Sequence, residues 1–201
     1  MDVKEAIATR RSVRKYDEKQ VTGGTVRELL DAARLAPSGC NAQPWRFYVV
    51  NSAKTMKVLR DKRAFKQKFV YKAPLVLVCC GDPKAYQGKY GGEYQVKDGS
   101  VPEKTADREK MFAMVKGREM IRAIRDVSIA SAFVVLRATE LGLGTTCVGL
   151  INEATLKEVL AIPDDFVVPF VITAGYYTEK AVEKQVNNLE DIVIGGLLVD
   201  E

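Results

Sequence analysis

The spacing of hydrophobic positions along this 201-residue chain changes between a helical and a strand period. In most of the chain apolar residues recur every three to four positions, which predicts α-helices. These helices are expected over residues 2–9, 25–36, 53–69, 106–125, 126–141 and 153–160. Shorter runs rich in β-branched and aromatic residues predict strands within 45–50, 73–80, 142–150 and 166–176.

Capping and breaking residues set the limits of two helices. Thr25 followed by Glu28 is typical of a capping box, and Pro37 ends the same helix. Ser52 is placed to cap the helix that starts at residue 53.

Two predicted elements are unusually apolar. Residues 73–80, APLVLVCC, are too short and continuous for a helix and predict a buried central strand. Residues 126–141 predict a helix that is apolar almost all round, so we expect it in the core or in a subunit interface. With the loose alternation of strands and helices, the pattern predicts one three-layer domain of the mixed α/β or α+β class.

Two segments interrupt this pattern. Residues 81–105 hold five Gly, two Pro and three Tyr, and with the charged helix after them they predict an excursion over 81–125. Such a segment is either a lid over a site or a plain solvent loop. Residues 177–201 predict a C-terminal extension of the single domain 1–201.

The amino-acid composition limits the kinds of binding and catalytic site that the chain can form. The net charge is +5 with a pI near 8.9, but no consecutive block of Lys or Arg exists, which favours a solvated surface over a nucleic-acid-binding face. The chain has no His, which excludes Ser-His-Asp and Cys-His catalysis and the usual zinc sites. Without a signal-peptide core or an apolar run of membrane-spanning length, we expect a cytoplasmic protein with reduced Cys.

The first candidate site is TRRSVRKY, residues 9–16. Arg10, Arg11, Ser12 and Arg14 offer planar guanidinium donors and a hydroxyl that can surround a phosphate. A basic cluster that offsets the dipole at the end of a helix is the alternative, and the residues alone leave both open.

The second candidate is APSGCNAQPWRF, residues 36–47. Ser38, Asn41 and Gln43 are hydrogen-bonding groups in a loop stiffened by two Pro, and amides suit the edge of a planar heterocycle. The alternative is a helix-to-strand turn that buries Trp45 in the core.

The third candidate is ELGLGTTCVG, residues 140–149. Its glycines can let backbone N–H groups approach a ligand closely, or they can simply end a helix. We expect Cys147 to be a buried, inert thiol.

In this order the three motifs resemble those of the FMN-dependent nitroreductase family, over roughly residues 2–176. The resemblance implies an α+β, three-layer fold with a central mixed or antiparallel sheet flanked by helices. It also implies an intertwined homodimer with FMN at the subunit interface, in which helix 126–141 is the central dimer helix.

By the same resemblance, the Arg segment would hold the phosphate, ribityl chain and pyrimidine edge of the flavin. Residues 37–43 would approach from the partner subunit, and residues 146–149 would line the ring. A basic residue near the C-terminus closes over the phosphate in the family, and Lys184 is the best match here, with Lys180 behind it. The implied cofactor-binding set is Arg10, Arg11, Ser12, Arg14, Pro37, Ser38, Gly39, Asn41, Gln43, Thr146, Cys147, Val148, Gly149 and Lys184.

The resemblance implies an enzyme in which flavin N5 carries the chemistry, so no protein residue is assigned a catalytic role. NADH or NADPH would reduce the flavin, and a nitroaromatic, quinone or similar electron-poor acceptor would reoxidise it in a ping-pong cycle. Tyr86, Tyr90 and Tyr94 would stack on substrate or nicotinamide, or are merely surface aromatics. Two alternatives stay open: a non-catalytic flavin-binding or storage protein, and a same-fold relative that performs dehalogenation or flavin fragmentation. No metal, membrane or nucleic acid is expected.

Overall fold

The computed structural model describes residues 1–86, 117–178 and 182–193. The helices within these ranges are α1 (Val3–Thr9), α2 (Gly23–Arg34), α3 (Ala53–Asp61), α4 (Glu119–Glu140), α5 (Glu153–Leu160) and α6 (Leu189–Ile192). The strands are β1 (Trp45–Val50), β2 (Leu75–Gly81), β3 (Gly144–Val148) and β4 (Val167–Gly175). Short 3₁₀ turns occupy Gly39–Asn41, Lys68–Lys72 and Pro83–Tyr86.

The four strands form one antiparallel sheet in the order β1-β2-β4-β3. β2 is buried at every residue, which confirms the central strand predicted from its continuous apolar run. It starts at Leu75 rather than at residue 73, because Pro74 has no N–H to donate to a neighbouring strand. β1 and β3 are therefore the two edges of the sheet.

Alternation of side chains across β2 creates a core on each face of the sheet. Leu75 and Leu77 pack with α2 and α4, whereas Val76 and Val78 pack with α3 and α5. Helices thus cover both faces, and the predicted three-layer α+β fold is confirmed. Trp45 is 8% exposed and belongs to the first core, as expected for the residue that leads into β1.

The start of α2 differs from the prediction. Thr22 is the N-cap, and its hydroxyl oxygen accepts a hydrogen bond from the N–H of Thr25 (3.1 Å). Thr25 therefore lies in the first turn, and the predicted capping box is wrong. Glu28 forms a salt bridge with Arg137 instead, which joins α2 to α4.

The helix after β1 is shorter than predicted. α3 ends at Asp61, and Arg63 has a φ of +56°, a left-handed conformation that ends helices. Ser52 does occupy the N-cap position, but its side chain makes no capping hydrogen bond. The rest of the predicted helix is an irregular segment followed by the 3₁₀ turn Lys68–Lys72.

The long helix α4 joins two elements that the sequence predicts separately. It runs without a break from Glu119 to Glu140, so residues 119–125 belong to the central helix and not to an excursion. No Pro or Gly interrupts it, and one stripe from Ala123 to Ala138 stays buried on the sheet. Gly142, two residues after the helix, has a φ of +74°, so this glycine ends the helix, which was one of the two alternatives left open for the segment.

The remaining predictions fall partly outside the described residues. Of residues 81–125, the structure describes 81–86, which include the turn Pro83–Tyr86, and 117–125, most of which belong to α4. Tyr90, Tyr94 and the first part of the predicted helix 106–125 lie outside the described residues. The C-terminal extension contributes α6 and an exposed stretch that includes Lys184. Within the described ranges, no helix combines the length and apolar character needed to cross a membrane.

Candidate functional site

The Arg segment, residues 10–14, lies against the free edge of β3. Ser12 forms a parallel bridge with Thr145, and the N–H of Val13 donates to the carbonyl oxygen of Thr145 (3.0 Å). The Thr146 hydroxyl donates to the carbonyl of Val13 (2.6 Å). Two of the three candidate motifs are therefore adjacent in one chain, although about 130 residues separate them in sequence.

A buried hydroxyl network holds this arrangement. The Tyr16 hydroxyl donates to the carbonyl of Val13 (2.6 Å) and lies 2.7 Å from the Thr173 hydroxyl of β4. Burial raises the pKa of Tyr16, so its proton remains available for these bonds at neutral pH. The Arg segment is thus bonded to β4 as well as to β3.

The cations of the segment have different surroundings. The guanidinium of Arg11 donates to the carbonyls of Ala8 (2.6 Å) and Arg10 (2.9 Å), so it caps the end of α1. That contact matches the dipole-offsetting alternative for this one residue. Arg10 is half-buried, Ser12 and Arg14 are exposed, and neither Arg10 nor Arg14 forms an ion pair with a described residue.

Beyond its bridge to Ser12, the outer edge of β3 pairs with no other described segment. The Thr145 carbonyl points away from β4. Because the direction of the backbone groups alternates along a strand, the N–H and carbonyl of Cys147 point to the same outer side. The Cys147 side chain is exposed, so the expectation that this thiol is buried is wrong: β3 is an edge strand, and its neighbours Thr146 and Val148 face the core instead. Partial desolvation still raises the pKa of Cys147, although nearby Arg10 opposes that shift.

The loop of residues 37–44 is tightly constrained, although its only regular element is the 3₁₀ turn Gly39–Asn41. Asn41 and Gln43 both have left-handed φ values, +51° and +48°, which non-glycine residues rarely adopt. The N–H of Gln43 donates to the Ser38 hydroxyl (2.9 Å), and its side-chain amide donates to the Asn41 side chain (3.2 Å). Strained backbone of this kind persists only where surrounding contacts impose it.

The strongest of those contacts involves Asp126 of α4, which is fully buried. Its carboxylate accepts hydrogen bonds from the N–H of Gly39 (2.8 Å), the hydroxyl of Tyr86 (2.8 Å) and the guanidinium of Arg125 (2.7 Å). A Cβ at position 39 would lie 2.7 Å from the guanidinium of Arg125, so that side chain packs directly against the Gly39 backbone. Asp126 was not among the site residues predicted from the sequence; a carboxylate at the head of the otherwise apolar run 126–141 is the signal that could have identified it.

Tyr86 lies inside this cluster. Its ring is 7% exposed and packs beneath the guanidinium of Arg122, 4.0 Å from the ring centre. Burial, followed by the hydrogen bond to Asp126, raises the pKa of Tyr86. The described conformation therefore gives Tyr86 a structural contact, and its role towards substrate stays a prediction.

The loop and the Arg segment border opposite edges of the sheet. The loop leads into β1, whereas the Arg segment lies beyond β3. Three strand spacings of about 4.8 Å separate β1 from β3, roughly 14 Å in all. Lys184 is exposed in the C-terminal extension. One chain thus assembles the Arg segment with β3, while the loop is built separately.

Several known proteins are similar to this chain in sequence and in fold. The sequence profile of the nitroreductase family matches residues 7–176. An NADH dehydrogenase of Thermus thermophilus is 29% identical, with 96% of each chain covered. The solved structure of a nitroreductase family protein from Clostridium difficile 630 is 26% identical with a TM-score of 0.73, covering 96% of this chain and 97% of the other. A protein from Exiguobacterium sibiricum, solved in complex with FMN, is 23% identical with a TM-score of 0.78 and 98% coverage of each chain.

Removal of the Asp126 carboxylate is expected to loosen the loop. Asp126→Ala leaves the Gly39 N–H and the Tyr86 hydroxyl without their acceptor, so we expect the free energy of unfolding to fall by about 3 kcal/mol in chemical denaturation. Ser131→Ala is the matched control, since Ser131 is also buried on α4 but has only a weak 3.5 Å contact to Cys79.

A double-mutant cycle isolates the hydrogen bond itself. Tyr86→Phe combined with Asp126→Ala should show a coupling energy of about 1 kcal/mol, because both changes remove the same contact. Strictly additive losses, or a loss no larger than that of Ser131→Ala, would contradict the assigned role of Asp126.

Proposed function

Since the chain belongs to the nitroreductase family, we propose that it is an FMN-dependent NAD(P)H oxidoreductase that reduces nitroaromatics, quinones or similar electron-poor acceptors by a ping-pong cycle. The observation that carries this proposal is the seam between the Arg segment and the open end of β3. The seam places cationic donors and an uncovered strand edge side by side, which suits a ligand with a phosphate and a flat ring. The complex of the Exiguobacterium sibiricum relative with FMN is consistent with that choice.

The residues of the seam fit FMN in charge and in donor type. Arg10 and Arg14 have no ion pair among the described residues, so both remain available for the two negative charges of a phosphate. Ser12 adds an exposed hydroxyl, and the edge of β3 near Cys147 adds backbone donors and acceptors. When bound, FMN supplies the hydride chemistry, taking electrons from NAD(P)H and giving them to the acceptor.

The chain's own contribution is to bind and orient. The Val13–Thr145 and Thr146–Val13 hydrogen bonds fix the Arg segment relative to the strand, so the phosphate and ring positions are set together. A cation of the segment near the pyrimidine edge would stabilise negative charge that develops there on reduction, and Arg14 is the exposed candidate. The absence of His is compatible with this role, because binding and orienting FMN requires no side chain that gains or loses a proton near pH 7.

We further propose that the site is completed by a second copy of the chain. The loop of residues 37–44 is too far from the Arg segment of its own chain to line the same flat ring, given about 14 Å between the edge strands. The outer stripe of α4 contains Ala132, Phe133 and half-buried Leu136, where a solvated helix would carry charge. Pairing of two α4 helices would cover this stripe and bring the loop of one chain towards the seam of the other.

Anaerobic reduction tests the proposed activity. Protein reconstituted with FMN should lose its visible flavin absorbance when mixed with NADH or NADPH, and a nitroaromatic or quinone should restore it. FMN at the same concentration without protein is the control. Protein that binds FMN but is bleached by neither dinucleotide would be a flavin-binding protein, and protein that cannot be reconstituted would contradict the cofactor assignment.

Arg10→Ala tests the phosphate site. Loss of a guanidinium that binds phosphate should weaken FMN binding by about ten- to a hundredfold, measured by fluorescence titration, with little change in unfolding free energy. Arg11→Ala should weaken it less, because Arg11 is engaged with the carbonyls of α1. Arg27→Ala, an exposed change on α2, is the control. If stability and FMN affinity fall in parallel, Arg10 is a structural residue instead.

Phe133→Asp tests the dimer. A carboxylate on the outer stripe of α4 should convert the dimer to a monomer in light scattering and reduce FMN binding with it. Val58→Asp is a matched control, because Val58 and Phe133 are both 39% exposed but Val58 lies on α3. A Phe133→Asp protein that stays dimeric, or a monomer that retains full FMN affinity, would refute the shared site.

A further inference from the structure

A basic cleft lies between the end of α3 and the turn before β2. It has a volume of about 730 Å³, within the range of small-molecule sites. Five cations line it: Arg60, Arg63, Lys66, Lys68 and Lys72. Phe65 and Tyr71 complete the lining, and because Phe65 is buried, the aromatic surface of the cleft is the half-buried ring of Tyr71.

The segment that contains the cleft has a larger net positive charge than the whole chain. Residues 54–72 contain eight Lys or Arg and one Asp, a net charge of +7 against +5 for all 201 residues. Within the described part of the chain, Arg63, Lys66, Lys68 and Lys72 have no salt-bridge partner. Like charges crowded without counter-charges repel each other, so an anion bound among them would be stabilised.

Hydrogen bonds fix the walls of the cleft. The Tyr71 hydroxyl accepts a hydrogen bond from the N–H of Phe65 (2.7 Å) and donates one to its carbonyl (2.8 Å). Arg60 donates to the carbonyl of Tyr71 (3.2 Å), which fixes one cation at the wall. Arg63 follows the end of α3 and has a left-handed φ of +56°. Glycine is the usual residue in this conformation after a helix, but here the position carries a cation.

The position of the cleft links it to the seam. The N–H of Lys66 donates to the carbonyl of Leu150 (3.1 Å), and Phe65 forms an antiparallel bridge with Ile151. Leu150 directly follows residues 146–149, the segment proposed to line the flavin ring. The Arg segment meets β3 at Thr145, five residues before Leu150, so at roughly 3.3 Å per residue the two contacts are at most about 16 Å apart along the chain.

We propose that this cleft binds the phosphates of the dinucleotide electron donor, above all the 2′-phosphate that distinguishes NADPH from NADH. The inference rests on the proposed function and deepens it, because it assigns the donor. A nicotinamide stacked on a ring beside residues 146–149 would have its phosphates directed past that end of β3, away from the Arg segment that holds the flavin phosphate. Five cations exceed the need of a single phosphate, whereas NADPH brings three.

The shape of the site favours a dinucleotide over a nucleic-acid strand. The cations converge in one concave cleft, whereas a nucleic-acid surface needs basic residues spread along a wide face. The ring of Tyr71, half-buried with Arg60 above it, also offers a surface for an adenine base.

Direct binding tests the inference without catalysis. FMN-loaded protein is titrated calorimetrically with adenosine 2′,5′-bisphosphate and with AMP, which lacks the 2′-phosphate. We expect the bisphosphate to bind at least about tenfold more tightly, and Lys66→Gln/Lys68→Gln to abolish that preference. Arg27→Gln/Lys54→Gln removes the same charge from exposed positions outside the cleft and should leave the preference intact.

Arg63→Gly provides a variant that is safe for folding. Glycine accepts the left-handed conformation without strain, so this change removes a charge while preserving the backbone. It should weaken binding of the bisphosphate and leave AMP binding unchanged.

Anaerobic bleaching of the flavin with NADH and with NADPH distinguishes failure of the cleft assignment from failure of the proposed function. Faster bleaching of the wild type by NADPH, lost in the Lys66→Gln/Lys68→Gln protein while bleaching by NADH persists, is the expected result. Equal affinity for the two adenosine phosphates, or equal effects of the cleft and control variants, would overturn the cleft assignment and leave the proposed function standing. Failure of both dinucleotides to bleach the flavin would overturn the proposed function itself.

Discussion

The buried carboxylate of Asp126 is the contact on which the loop before β1 depends. A fully buried carboxylate must be surrounded by donors, and three different parts of the chain supply them: the Gly39 backbone, the Tyr86 hydroxyl and the neighbouring Arg125. The loop, the turn after β2 and the central helix therefore share one electrostatic anchor. Two strained residues, Asn41 and Gln43, follow within four positions of Gly39, and the anchor helps to keep them in that conformation.

The same helix explains why the loop and the seam are separate in one chain. α4 packs on the sheet with one stripe and keeps a second apolar stripe outward, so its position sets both the core and the surface proposed for dimerisation. Asp126 fixes the loop to the helix, and the helix would carry the loop into the partner's site. In the proposed dimer, an anchor within this helix would therefore place binding groups of one chain in the site of the other.

Local pattern predicted much of the fold. The strands, α5 and the buried central strand follow from periodicity and β-branched content, because these depend on neighbouring residues. The errors have long-range or competing causes. Thr22 rather than Thr25 is the cap because two threonines three positions apart offer the same capping hydroxyl. α3 ends early because Arg63 adopts a left-handed conformation that an arginine does not predict. Exposure of Cys147 depended on β3 being an edge strand, which strand order alone decides.

The site was predictable to the extent that its groups are contiguous in sequence. The Arg segment and the β3 strand were each recognised, but their pairing through Val13 and Thr145 is a tertiary contact that no spacing predicts. The same holds for Asp126, whose partners lie 40 and 87 residues away.

Basic residues lie near both ends of β3. The Arg segment lies beside Thr145 and the basic cleft beside Leu150, while the strand between them presents neutral residues. Two ligands that each carry phosphates repel one another, so stacking their rings is favoured only if the phosphates leave in different directions and each set meets its own cations. A cation cluster at each end satisfies that condition and leaves the neutral middle for ring contact and hydride transfer. The separation of the two clusters is therefore what the proposed stacking of a phosphorylated donor on a phosphorylated cofactor would require.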